Sequence, residues 1–355
     1  MMRYTWLCLV LILSIESFAQ EDSTKSIKVS TYVDMYYGYD FSNPMNFEKP
    51  DYNYNYKKHN QLNVNMAFVK LGYQSSRMRS NLALMTGNYS MYNLSPEPNW
   101  AKPLLEANIG YKIAKQQNIW VDAGVMPSHI GFESAIGADC WNLSRSLLAE
   151  NSPYYETGIK LSYTNKKEDL YFAFHVLNGW QKIAIPSQGA TPSAGIQLTY
   201  KPSNYLTLNY SNFIGRIHLD SLNALRVFHN LYAIYEASPK TSLIFGFDIG
   251  TQKNTQSKVA VWFTPVLIAK LNLNSKSKIA GRIEYYMDKN QVIIPTATPN
   301  GFQTFGVSVN YDRQILPYLL MRTELKQYQS KDPIYRYEQS TASQTTATMA
   351  FIVKF

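Results

Sequence analysis

The chain has 355 residues, with 34 Lys and Arg against 25 Asp and Glu, giving a formal charge of +9. No run of basic residues accompanies that excess, so nucleic-acid binding is excluded as the partner class. After the first twenty residues no apolar stretch approaches the ~20 residues a spanning helix needs, which excludes a helical membrane protein.

Met1 to Gln20, MMRYTWLCLVLILSIESFAQ, carries one basic residue, an apolar run from Trp6 to Ile15 and the small-residue pattern Ser17-Phe18-Ala19. This is the pattern of a secretory signal peptide, 1–19, cut after Ala19. Its removal takes away Cys8 and leaves Cys140 as the single cysteine, so no intrachain disulfide holds the exported domain, 20–355.

Beyond the signal, β-rich or alternating segments follow at 27–40, 60–74, 77–90, 104–114, 118–127, 153–164, 168–180, 191–202, 204–216, 225–237, 240–251, 257–270, 276–287, 302–312, 316–328 and 345–355. Those sixteen strands are separated by connections that alternate long and short: 41–59 then 75–76, 91–103 then 115–117, 128–152 then 165–167. A soluble sandwich has no reason to gather its long loops at one end. A transmembrane antiparallel β-barrel of about 16 strands does, with short periplasmic turns and longer extracellular loops.

In the first strand Ile27, Val29, Thr31, Val33, Met35, Tyr37 and Tyr39 alternate with Lys28, Ser30, Tyr32, Asp34, Tyr36, Gly38 and Asp40. A lipid-facing set opposing a lumen-facing set explains that period of two. In the fifteenth, Leu319, Met321, Thr323 and Leu325 oppose Arg322, Glu324 and Lys326, three charges that a water-filled lumen hydrates. The parity of QLNVNMAFVKLGY switches near Ala67, which predicts a bulge. VAVWFTPVLIAK is apolar on both faces and its facing is undecided. The final strand, TATMAFIVKF, must pair with the first to leave no open edge in lipid. Phe351, Val353 and Phe355 on its apolar face resemble the signal read by the barrel-assembly machinery.

The block WVDAGVMPSHIGFESAIGADCWNLSRSLLAENSPYYETGIKLSY, residues 120–163, followed by VLNGWQ at 176–181, resembles the OmpL-like β-barrel porin family found mainly in Bacteroidetes. The resemblance implies an outer-membrane location and architecture more firmly than a solute, and it implies no catalytic residues.

The third long loop, 128–152, is the longest. Glu133, Asp139, Arg145 and Glu150 are candidates for a pore constriction if it folds inward, where charge sets ion preference. Its apolar residues Ile130, Phe132, Trp141, Leu143, Leu147 and Leu148 favour infolding, because they need a wall to pack on. Candidate lumen-lining charges are Asp122, Glu156, Lys160, Arg282, Glu284, Arg322, Glu324 and Lys326; with Lys28, Asp34, Asp40, Glu106, Lys112, Asp248, Lys278 and Lys354 the wall balances at eight of each sign. Balance argues against strong ion selectivity.

Catalysis finds no support. No nucleophile motif surrounds the serines near His129 or His175, and the histidines at 59, 129, 175, 218 and 229 are scattered, so neither an enzyme nor a metal or cofactor is expected. A plugged transporter of ~22 strands does not fit this length. The expected function is passive diffusion of small hydrophilic solutes through an outer-membrane porin. A substrate-selective channel, for oligosaccharides for example, and a non-conducting structural or adhesive barrel are the alternatives. Membrane lipids, the assembly machinery and two further copies in a homotrimer are the expected partners.

Overall fold

The computed structural model describes residues 25–185, 192–217, 225–253, 258–335 and 340–355. The expected signal peptide lies outside them. Sixteen strands run β1 (Ser26–Asp40), β2 (Gln61–Gln74), β3 (Met78–Thr86), β4 (Leu104–Lys112), β5 (Asn118–Pro127), β6 (Tyr155–Thr164), β7 (Leu170–Leu177), β8 (Ser193–Ser203), β9 (Leu206–Arg216), β10 (Leu225–Glu236), β11 (Thr241–Lys253), β12 (Val259–Asn274), β13 (Ser277–Asp288), β14 (Phe302–Leu316), β15 (Leu319–Ser330) and β16 (Ser343–Lys354). Each pairs antiparallel with its neighbours in sequence, and β1 with β16 closes the barrel from Tyr32 opposite Lys354 to Asp40 opposite Thr346. Closure satisfies every strand edge, which a sheet in lipid requires. Among the described residues no helix is long and apolar enough to cross a membrane.

Alternation sets the two faces. In β1, Ile27, Val29, Val33, Met35 and Tyr37 are exposed on the outer wall, whereas Tyr32, Asp34, Tyr36 and Asp40 are buried inside. The expected bulge in β2 is present two residues before Ala67: Met66 pairs with Asp34 and Val64 with Met35, leaving Asn65 as the extra residue. Met66, next to the bulge, is buried in the interior. In β12 the undecided faces resolve, with Ala260, Trp262, Thr264, Val266 and Ile268 buried inside and Pro265 half-buried on the other face. The ladder from β12 to β13 skips Thr264 and Pro265, where proline has no N–H to give.

The strand expected over 77–90 stops at Thr86. Gly87, at φ 118°, turns the chain into a short helix α1 (Asn88–Asn93). Two further local elements lie in the third loop: a 3₁₀ turn at Gly137–Asp139 and a one-turn helix α2 (Leu147–Glu150). Ser146 caps α2 by accepting from the Ala149 N–H.

Candidate functional site

The third loop enters the barrel and runs down its depth. Its entering and returning limbs, at Ser128 and Asn151, stand at the long-loop end. Its tip reaches the other end, where Lys354 at the close of β16 donates to Asp139 at 2.9 Å. Apolar packing holds the limbs on the wall. Ile130 and Leu147 join a cluster with Phe213, Phe228, Trp262 and Tyr286; Leu148 and Ala149 join one with Tyr32, Met66, Phe68, Val266 and Ile268; Leu143 packs with Tyr36 and Tyr56.

Charged wall residues then bind the loop's backbone. Arg322 donates to Asp312 on the neighbouring strand at 2.7 Å and to three loop carbonyls, those of Gly137 at 2.6 Å, Cys140 at 3.0 Å and Trp141 at 2.9 Å. Arg282 donates to Glu284 at 3.1 Å and to the Ser144 carbonyl at 2.7 Å. Glu324 accepts from the Ser144 N–H at 2.8 Å, and Glu284 from the Leu147 N–H at 2.5 Å. A loop with no sheet partner carries orphan N–H and C=O groups, and here the wall's own charges satisfy them.

Within the loop, Arg145 donates to the carbonyls of Ser134, Ala135 and Leu143, and Glu133 accepts from the Ser146 N–H and hydroxyl. Glu150 accepts from the Tyr54 N–H at 2.8 Å and the Asn55 amide at 3.1 Å, which ties the third loop to the first. Burial pushes the Glu133 carboxyl above the usual carboxylate range, with Arg282 and the Ser146 donors pulling it back. Burial pushes Glu150 up likewise, against its hydrogen bonds and Arg145.

Of the four loop residues proposed for a constriction, Glu133, Arg145 and Glu150 are buried, and Asp139 with its partner Lys354 is open to solvent. Asp122, Glu156, Arg282, Glu284, Arg322, Glu324 and Lys326 all face inward and all are buried; Lys160 is part exposed. The idea that a hydrated lumen keeps Arg322, Glu324 and Lys326 in water is therefore corrected: all three are buried, and third-loop backbone groups take the place of water at Arg322 and Glu324. Cys140 is buried in the same loop, its thiol donating to the Ser134 carbonyl at 3.4 Å.

Several paired charges escape a reading by charge alone. Asp312 holds Arg322, Arg79 grips Asp122 through two bonds of 2.6 Å, and Lys70 meets Glu106 at 2.7 Å. Parity could have found them, since Leu82 and Leu84 face outward and place Arg79 on the inner side. The histidines are not all scattered either: at the loop's root His129 stacks on His175, ring centroids 4.1 Å apart, with Glu156 between their Nδ1 atoms. Forty-six positions of sequence separate two side chains that the barrel wall brings together.

Cavities open on both sides of the loop. At the long-loop end one of about 470 Å³ is lined by Asp40, Lys49, Tyr52, Tyr54 and Asn151, among others. At the short-turn end one of about 350 Å³ reaches Ala138, and another of about 440 Å³ lies between Asn118, Tyr171 and Lys201.

The sequence profile of the family described as putative beta-barrel porin-2, OmpL-like, matches residues 26–355. The chain belongs to that family. No curated protein sequence matches it. The fold of this OmpL-like porin is shared with an anion-selective porin from Comamonas acidovorans (TM-score 0.64, 12% identity, covering 93% of this chain and 100% of that one). It is shared with OmpT of Vibrio cholerae, described in trimer form (0.60, 8%, 94% and 100%), and with the outer membrane channel DcaP of Acinetobacter baumannii (0.61, 6%, 94% and 99%). Family and closed barrel together assign the OmpL-like chain to the outer membrane as a porin.

Proposed function

We propose that this OmpL-like barrel passes small hydrophilic solutes by passive diffusion, with the third loop setting the size limit and no catalytic step. The observation that carries the reading is the loop's path through the lumen, between a polar cavity at one end and two at the other. The buried charges act first as anchors that hold the loop in place. Asp139 and Lys354, which are exposed, and Lys160, which is part exposed, are among the charges a passing ion meets. Export through the cleaved segment 1–19, insertion in lipid by machinery reading Phe351, Val353 and Phe355, and assembly as a homotrimer complete the proposal.

The long-loop cavity favours one second reading, a channel selective for a sugar-like solute. Tyr52 and Tyr54 stand there among Asp40, Asp51, Lys49 and Asn151, a mixture of ring faces and hydrogen-bonding groups suited to a polyhydroxylated molecule.

Single-channel current across a planar bilayer tests both. Stable steps in potassium chloride are expected, larger after deletion of 134–148 in a barrel that still shows a heat-dependent shift in gel mobility. Blockade of the steps by added oligosaccharide would favour the selective channel. A folded barrel without current overturns the diffusion reading.

A further inference from the structure

Among the described residues, His129, Glu156 and His175 have ligand atoms all within 4.8 Å of one another, and all three are buried. The hydrogen bonding at this cluster is incomplete in an informative way. His129 Nε2 lies 2.7 Å from the backbone oxygen of Asn212. A carbonyl only accepts, so Nε2 carries a proton and Nδ1 is the nitrogen turned toward Glu156. His129 Nδ1 is 2.6 Å from Glu156 Oε2, so either a ring proton or a cation lies with these two atoms. His175 Nδ1 stands 2.7 Å from Glu156 Oε1 without the alignment of a hydrogen bond, and neither of its ring nitrogens has a hydrogen-bond partner although the residue is 1% exposed. Burying both nitrogens of an imidazole unpaired is unfavourable and calls for a further group.

We propose that His129, Glu156 and His175 bind a divalent transition-metal ion of the zinc type, which fastens the root of the third loop to β6 and β7. Two imidazoles and one carboxylate match the donors such ions prefer, with a fourth position left for water, and they offer too few oxygens for calcium or magnesium. The Asn212 carbonyl on His129 Nε2 is the outer hydrogen bond that orients a metal-ligating histidine. The ring has room because residue 195 is glycine, where a Cβ would come within 2.5 Å of Nε2. Lys160, cross-strand from His175, is engaged with Asp122 at 3.5 Å. With bonds of about 2.0–2.1 Å, small side-chain rotations open the present contacts to the roughly 3.3 Å edge of a tetrahedron around the ion.

The test is equilibrium dialysis of the purified, chelator-stripped full barrel against micromolar zinc, with metal counted by mass spectrometry. About one zinc per chain is expected. His175→Ala and the near-isosteric Glu156→Gln should each abolish it, while His229→Ala, which lies outside the cluster, should leave it unchanged. Cobalt in place of zinc should give visible absorption bands in the wild type that Glu156→Gln lacks. Where a variant does not fold, zinc-edge anomalous scattering from wild-type crystals decides: a peak between the three side chains supports the site. No peak there, no stoichiometric zinc in the wild type, or zinc retained by His175→Ala overturns it.

Discussion

Arg322 is the residue on which wall and loop most depend, because its guanidinium serves one carboxylate and three carbonyls at once. Arg322→Met removes the charge and leaves buried Asp312 with only Lys278 at 3.4 Å and the Asn310 amide at 2.8 Å, while three loop carbonyls lose their donor. A loss of about 3–5 kcal/mol is expected, as for other broken buried pairs, and a urea titration of the barrel in lipid vesicles measures it. Current fluctuations should also grow, since the loop tip loses three bonds. Lys49 in the first loop offers a test by pH. Burial, helped by Lys326, brings its amine down to about 7, against the pull of Asp40 and Glu324. The folded state thus gives up a proton that the unfolded chain keeps until about pH 10.4, so the folded state gains stability as pH rises between those values. Lys49→Met should therefore stabilise the barrel by about 1–3 kcal/mol at pH 6, allowing for the lost bond to Thr348, with the gain fading toward pH 10. A pH-independent difference in unfolding midpoint would refute this. Alternation made the inward placement of Arg322, Glu324 and Lys326 legible in sequence. The dehydration of Arg322 and Glu324 was not, because it depends on a loop about 180 residues away in the chain.

At the scale of elements, the third loop and β16 were the informative segments. Infolding could be read from Leu143, Leu147 and Leu148, which had no reason to face water. The depth of insertion could not, since it rests on Arg322 and Lys354 reaching the tip from distant strands. Helix α2 is confined to one turn because its capping residue is Ser146, with the preceding residues spent on bonds to the wall. Phe351 of β16 and Phe355 just after it are exposed on the outer face, and the Phe355 ring stacks on Tyr318 at 5.4 Å. The Phe355 N–H still donates to the Thr31 carbonyl, a backbone bond that any side chain preserves. Phe355→Ala should therefore refold in detergent with unchanged stability, within about 0.5 kcal/mol. In cells, its yield in the outer membrane should fall severalfold if the ring is read by the assembly machinery. Equal yields in membranes would remove Phe355 from that role.

For the whole molecule, the alternation of long and short connections carried the architecture, because it reports which end of a barrel each turn occupies. Boundaries were less legible where backbone chemistry intervened, at Gly87, at the Asn65 bulge and at Pro265. Contacts between residues distant in sequence, such as His129 at the loop's root with His175 on the wall, were invisible because sequence gives each strand's faces but not the shear that aligns the strands or the path of the loop between them. The trimer proposal belongs to this scale. Cross-linking in native membranes should give a ladder ending at three copies, and a ladder ending at one would refute it. The path of the third loop has a practical consequence. Cys140 is the free cysteine among the described residues, and it sits beneath the loop's own backbone. Its modification by a membrane-impermeant thiol reagent requires the loop to lift, so the labelling rate becomes a built-in clock for the plug's excursions. Added from either side of a bilayer, the same reagent tells which mouth of the barrel those excursions open.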